Sequence, residues 1–120
     1  MDVSAQSIIL MIGSDPSLSY LIGRYAQQSG YGVASMAVMP TAAEACALQP
    51  AAVLFQSVQG LETSQTLVRE LVERDVPVLV CSSVTDEARA RELGADGCLL
   101  HPLTYDSVLA ALSAATSRER

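Results

Sequence analysis

The sequence predicts one α/β domain, in which a parallel sheet is covered by helices on both faces. Its 120 residues suffice for a single core. Half of them are hydrophobic and only 17% are charged, which favours elements that are buried on two faces. Short apolar runs alternate five times with helical patterns, and repeated βα units of this kind form parallel sheets. We expect a single domain over residues 1–120, with a core spanning about residues 6–116.

Five apolar runs of strand length are separated by turn and helix signals. The first is continuous and typical of a strand covered on both faces, whereas alanines weaken the second. In chain order, the predicted strands are Ser7–Gly13, Gly32–Met39, Ala52–Gln56, Val76–Ser82 and Gly97–Leu100.

Capping residues and apolar periodicity predict the five intervening helices. Asp15 and Pro16 suit the N-cap and first turn of the first helix, and Gly30 suits its end. Thr41 and Glu44 have the spacing of a capping box for the second helix. The second helix continues through Leu48, and the later helices are predicted over about Glu62–Arg74, from a Thr85 cap to Leu93, and from a Thr104 cap through Ala115.

The composition excludes several classes of function. The net charge is −6, and the seven basic residues are scattered arginines, so neither nucleic acid nor an anionic membrane surface is an expected partner. Without lysine, the chain has no Schiff-base nucleophile and no phosphate-binding P-loop. With one histidine and no Cys-x-x-Cys motif, we expect no metal and no cofactor.

Three cysteines, Cys46, Cys81 and Cys98, are widely spaced and odd in number. We interpret them as small core residues of a protein in a reducing compartment. No apolar run approaches the roughly 20 residues that span a bilayer, and no basic region precedes the first one. We therefore expect a cytoplasmic location.

Ligands of open parallel sheets bind at the carboxyl ends of the strands. The predicted ends are Gly13-Ser14-Asp15, Met39, Gln56-Ser57, Ser82-Ser83 and Leu100-His101. The turn after the first strand has no dinucleotide fingerprint and no Ser/Thr-rich flavin loop, so nucleotide and flavin folds are disfavoured.

Four segments carry a resemblance to a known family. They are Ile8–Pro16, Pro50–Gly60, Pro77–Ser83 and Glu92–Leu103, the last with a Gly-Ala-Asp run followed by His-Pro. Over nearly its whole length the chain resembles the receiver domains of two-component response regulators. The resemblance implies a flavodoxin-like (βα)5 fold with strand order 2-1-3-4-5.

The resemblance also assigns the family's functional positions to residues of this chain. The acidic pair that holds Mg²⁺ falls on Gly13 and Ser14, and the phospho-accepting aspartate falls on Gln56. The Ser/Thr position falls on Ser82, the lysine position on His101 and the aromatic switch position on Cys98. Receiver domains usually hold the peptide bond after the lysine position in the cis form, so the resemblance implies a cis bond between His101 and Pro102. Of these chemical positions only Ser82 keeps its group.

The substituted residues cannot perform the family's chemistry. An acyl phosphate forms on a carboxylate, and Gln56 carries a neutral amide. Mg²⁺ prefers carboxylate oxygens, and a histidine lacks the fixed charge of a lysine at pH 7. We therefore expect a degenerate receiver, which is not an enzyme and has a neutral crevice lined by Ser14, Asp15, Gln56, Ser57, Ser82 and His101.

The leading hypothesis is a signalling module that binds a kinase, an output domain or its own kind without phosphorylation. By resemblance, Arg89, Arg91 and Tyr105 are candidates for the partner surface. A second hypothesis is a regulator that binds a small molecule or an anion in the crevice. A third is an enzyme that uses Cys81 or Ser82 with His101; it is weakened because neighbouring strand residues point to opposite faces.

Overall fold

The structure is a computed structural model that describes residues 7–116, so the predicted start of the core at Gln6 lies outside the described residues. The five strands are β1 (Ile8–Ile12), β2 (Gly32–Met36), β3 (Ala52–Phe55), β4 (Val78–Ser82) and β5 (Gly97–Leu100). They form one parallel sheet in the order β2-β1-β3-β4-β5. The predicted fold class and strand order are both confirmed.

The helices cover both faces of this sheet. They are α1 (Pro16–Gln28), α2 (Ala42–Ala47), α3 (Val58–Glu62), α4 (Gln65–Glu73), α5 (Glu87–Glu92) and α6 (Tyr105–Thr116). Buried residues of α1 and α6 pack on one face, and those of α2, α3, α4 and α5 pack on the other. Among the helices within residues 7–116, none is long and apolar enough to cross a bilayer.

Alternation along the strands divides the core into two layers. In β1, Leu10 and Ile12 contact the α2–α5 layer, whereas Ile9 and Met11 contact the α1–α6 layer. Successive strand residues point to opposite faces, so a strand covered on both faces must be apolar throughout. This explains why β1, β3 and β4 are continuous apolar runs.

Three of the predicted helix starts are confirmed at atomic detail. The Asp15 carboxylate accepts the N–H groups of Ser17 and Leu18 with Pro16 in the first turn, and Thr41 forms the predicted capping box with Glu44. At α6, the Thr104 hydroxyl accepts the Ser107 N–H at 3.1 Å. In each case the side-chain oxygen satisfies an N–H that has no partner inside the helix.

Other predicted boundaries are wrong. β2 ends at Met36, because its partner β1 ends at Ile12, which pairs with Met36. The chain then bends at Ala37 and Val38, so Met39 is not a strand end. Glu62 ends the short helix α3, which Ser57 caps two residues after the end of β3, and it does not begin the longer helix α4. The Thr85 cap is also wrong, because the Ser83 hydroxyl accepts the Asp86 N–H and α5 begins at Glu87.

Candidate functional site

Gln56 is the central polar side chain at the carboxyl edge of the sheet. It directly follows β3 and is only 7% exposed. Its Oε1 accepts the Asp15 N–H at 2.8 Å, and its Nε2 donates to Ser19 Oγ at 2.7 Å and to the Asp15 carbonyl at 3.3 Å. The side chain thus joins the end of β3 to the first turn of α1. We call Gln56, Asp15 and Ser19 the Gln56 network.

Gly13 makes room for this network. Its φ of +145° is rarely adopted by residues with a side chain, and an added Cβ would lie 2.7 Å from Gln56 Cδ and 2.8 Å from Gln56 Cβ. Such distances are shorter than van der Waals contact. The Gln56 amide therefore fills the space that a side chain at position 13 would need, and the two positions are sterically coupled.

The other predicted crevice residues of this half of the edge face solvent. Ser14 and Asp15 are exposed, and the Asp15 carboxylate is engaged as the cap of α1. Ser57 is exposed as well, and its hydroxyl accepts the Gly60 N–H at 3.0 Å. The Asp15 carboxylate and the Ser57 hydroxyl are therefore used as the N-caps of α1 and α3.

Ser82 and His101 lie at the neighbouring ends of β4 and β5. Ser82 is 4% exposed, and its hydroxyl donates to the Ser83 carbonyl at 3.2 Å. The His101 N–H donates to the Ser82 carbonyl at 3.1 Å, whereas the imidazole is exposed, and the bond to Pro102 is cis as the resemblance implies. Within residues 7–116, no hydrogen bond links either side chain to the Gln56 network, so the predicted crevice is divided into two parts.

Cys81 is packed inside the protein. It is 2% exposed within the α1–α6 layer, and burial, with a smaller effect of the negative Asp15, raises the pKa of its thiol to about 12. A thiol with so high a pKa holds almost no thiolate at neutral pH and is a poor nucleophile. Cys46 and Cys98 are half-buried against the opposite layer, which confirms the interpretation of the cysteines as packing residues.

The three predicted partner-surface residues contact different neighbours. Arg89 forms an ion pair with Glu62 at 2.8 Å, and Arg91 pairs with Glu87 at 3.3 Å. The Tyr105 ring meets the edge of the Tyr25 ring of α1, with centroids 5.8 Å apart. Within residues 7–116, no hydrogen bond, ion pair or ring contact joins these three side chains to one another.

Ser19 is the one member of the Gln56 network that the sequence analysis missed. It lies four residues after the Asp15 cap, so both residues occupy the same side of the first turn of α1. That spacing is a usable signal, but only once the end of β3 is known to lie beside this turn. Among the described residues, no three His, Cys, Asp or Glu side chains come close enough to hold a metal ion.

The chain is similar to solved structures of one fold. It matches the N-terminal signal receiver domain of a two-component response regulator from Bacteroides fragilis at 16% identity and a TM-score of 0.75, covering 96% of this chain and 100% of that one. A response regulator from Thermotoga maritima matches at 18% identity and a TM-score of 0.74, covering 94% and 99%.

A protein provisionally named as a pilus assembly protein from Burkholderia thailandensis matches at 19% identity and a TM-score of 0.71, covering 94% and 100%. No family model matches the chain, and no curated protein matches it. The chain therefore has the fold of receiver domains, with little sequence identity to these structures.

Proposed function

We propose that the chain is a receiver-type signalling domain that acts through protein contacts and takes up no phosphate. The observation that carries this proposal is the Gln56 network. The amide at the end of β3 is neutral and cannot act as the nucleophile of an acyl phosphate. Its oxygen and its nitrogen are also both bonded within the protein, to Asp15 and Ser19.

The surroundings of Gln56 are equally unsuited to Mg²⁺. Gly13 has no side chain and no room for one, and Ser14 offers only a neutral hydroxyl. The Asp15 carboxylate is the one acidic group of the network, and it already accepts two N–H groups of α1. Mg²⁺ keeps its waters unless hard oxygens, usually carboxylates, replace them, so the network has little to offer this ion.

The Gln56 network also removes the repulsion that a cluster of acids would cause. Three carboxylates about 4 Å apart would repel one another by about 4 kcal/mol per pair at an effective dielectric constant near 20. Here a single side chain holds β3 and α1 together by uncharged hydrogen bonds. These hydrogen bonds therefore favour a single conformation at the carboxyl edge of the sheet, and no change of charge is available there to drive a conformational change.

A domain of this kind works by binding other proteins, and its candidate partners are a kinase, an output domain or a second copy. One matched structure bears a pilus assembly name, so the fold also occurs in proteins not named as response regulators. Arg89, Arg91 and Tyr105 are the candidate contact residues. The two arginine ion pairs are exposed, and such pairs contribute only about 0–1 kcal/mol, so a partner can replace them at little cost. The three free cysteines suit a reducing compartment such as the cytoplasm.

Incubation with acetyl phosphate and Mg²⁺, followed by intact mass measurement, tests the proposal. We expect no gain of about 80 Da, the mass of one phosphoryl group, while a response regulator with an acceptor aspartate gains it under the same conditions. We expect Mg²⁺ at millimolar concentration to leave the Tm unchanged. A stoichiometric gain of mass, or a clear rise of the Tm with Mg²⁺, would overturn the proposal.

The other two hypotheses from the sequence gain no support from the geometry. A ligand in the neutral crevice would have to displace Asp15 and Ser19 from the Gln56 amide. An enzyme built on Cys81 would need a thiolate that burial disfavours, and the Ser82 hydroxyl is bonded to a carbonyl instead of the His101 imidazole. Both stay predictions without an observation that favours them.

A further inference from the structure

A cavity of about 440 Å³ lies beside the sheet, between the loop after β2 and the helices α3 and α4. We call it the α4 cavity. Its volume falls within the roughly 300–1,000 Å³ typical of small-molecule sites. The lining residues on which the argument depends are Met39, Pro40, Ala42, Ser64, Leu67 and Glu70.

One wall of the α4 cavity is apolar. Met39, in the loop after β2, is 47% exposed, whereas Ala42 and Leu67 are buried at 7% and 4%. The neighbouring Val38 is 80% exposed and extends the apolar surface along the same loop. An apolar group placed here would cover the exposed part of the Met39 side chain, and this burial is favourable.

The cavity is also lined by Ser64, a nearly buried residue with a hydroxyl group. Ser64 occupies the N-cap position of α4, is only 5% exposed, and makes no capping hydrogen bond. No hydrogen bond joins its side chain to another residue within the described range. Within residues 7–116 no fully buried side-chain nitrogen or oxygen lacks a partner, so this hydroxyl is reached by solvent, and a group that enters the cavity can replace water on it.

The charge of the lining is negative. Glu62 and Glu70 both line the cavity, and no basic residue does. Glu62 is neutralised by Arg89 at 2.8 Å. Glu70 is half-buried, and within residues 7–116 it forms no ion pair, so its carboxylate attracts a cation at this position.

We propose that the α4 cavity binds a small organic cation, a primary amine carried on an apolar body. The Glu70 carboxylate accepts from the ammonium group, and the Ser64 hydroxyl supplies a further acceptor. The apolar body lies against Met39 and Leu67. This site is separate from the Gln56 network and does not depend on the proposed function.

Two probes with the same ring and opposite charges test the site on the full chain. Tryptamine and indole-3-propionate share an indole ring, and each is titrated into ¹⁵N-labelled protein at low salt while the amide shifts are followed. We expect tryptamine to give saturable shifts at Thr41, Thr66 and Leu67 below about 5 mM, with indole-3-propionate at least about tenfold weaker. Failure of tryptamine to saturate, or equal affinity of both probes, would overturn the proposal.

Two glutamates of α4 provide matched variants. Glu70→Gln removes the charge at the cavity, whereas Glu73→Gln removes one from an exposed position that does not line it. We expect Glu70→Gln to weaken tryptamine binding about fivefold and Glu73→Gln to leave it within about 1.5-fold. Equal losses in the two variants would show general charge attraction and would contradict a specific site. Unchanged melting curves confirm that each variant is folded.

Discussion

The Gln56 network and the α4 cavity each contain a nearly buried polar residue, yet only the one in the cavity has a side chain without a hydrogen bond to a described residue. Gln56 is 7% exposed and Ser64 is 5% exposed. The Gln56 amide is bonded through both its oxygen and its nitrogen, whereas the Ser64 hydroxyl makes no bond to a described residue. Burial of a polar residue therefore does not by itself mark a binding site, because a ligand needs a polar atom that is not already bonded within the protein.

Charged side chains in the two regions differ in the same way. The Asp15 carboxylate beside Gln56 accepts two backbone N–H groups of α1, and so it completes the helix cap. The Glu70 carboxylate in the α4 cavity has no ion-pair partner among the described residues. The Asp15 carboxylate thus stabilises α1, whereas the Glu70 carboxylate is available to bind a cation.

The largest expected difference is in the reaction rates of two thiols, that of Cys81 in β4 and that of Cys46 on α2. Cys81 precedes Ser82 in β4 and has a pKa raised to about 12 by burial, whereas Cys46 is half-buried on α2. In the Cys98→Ser variant at pH 8, we expect Cys81 to react with a disulfide reagent at least about a hundredfold more slowly than in urea-unfolded protein. Cys46 should react first. Rapid labelling of Cys81 in the folded protein would show that the α1–α6 layer opens and would contradict this expectation.

The raised pKa of Cys81 also determines how the free energy of unfolding changes at alkaline pH. The folded state holds the Cys81 proton up to about pH 12, whereas the unfolded chain loses it near the ordinary value of 9.0. Stability is therefore lost as the pH rises from about 9 towards 12. Cys81→Ala removes this contribution and should flatten the fall of the unfolding free energy over that interval.

Alanine substitutions at two glycines test the steric coupling between Gly13 and Gln56. We expect Gly13→Ala to lower the free energy of unfolding by about 2–4 kcal/mol, because it strains a φ of +145° and pushes the Gln56 side chain out of its bonds. Gly23 lies inside α1 with no atom within 4 Å of an added Cβ, so Gly23→Ala should stabilise by up to about 1 kcal/mol. Urea unfolding of both variants measures this difference, and a neutral Gly13→Ala would contradict it.

Two glutamines test the hydrogen bonds themselves. Gln56→Leu leaves the Asp15 N–H and the Ser19 hydroxyl without their partner, and we expect a loss of about 1–3 kcal/mol in urea unfolding. Gln59 is exposed on α3, and Gln59→Leu should change stability by no more than about 0.5 kcal/mol. Neither variant should alter tryptamine binding. A change with Gln56→Leu would show that the two regions are coupled.

The sequence predicted the parts of the fold that depend on short-range signals. The Thr41–Glu44 capping box, the Asp15 cap and the bounds of β5 follow from neighbouring residues and are confirmed. The five-residue α3 was missed because it is too short to show apolar periodicity and contains Gly60. A helix of this length depends on its Ser57 cap and on packing, neither of which periodicity detects.

The site was predictable only in its residue types. The position of Gln56 at the end of β3 was foreseen, but its bond to Asp15 joins residues 41 positions apart and required the sheet order. The closeness of Gly13 to Gln56 likewise depends on the pairing of β1 with β3. The α4 cavity was not foreseen, because its walls come from the loop after β2 and from α4, which the sequence analysis bounded incorrectly.

The ion pair between Arg89 and Glu62 gives the smallest expected effect and connects the surface of α5 to the cavity. Removing Arg89 frees a second carboxylate at the rim, so Arg89→Ala should tighten tryptamine binding about twofold at low salt and cost at most about 1 kcal/mol of stability. Arg91 pairs with Glu87 on its own helix, so Arg91→Ala should leave binding unchanged. Both effects of Arg89→Ala should fade at about 0.5 M salt, because exposed charges are then screened. Unchanged binding in Arg89→Ala would mean that Glu62 takes no part, and Glu70 alone would then account for the attraction of the cavity for cations.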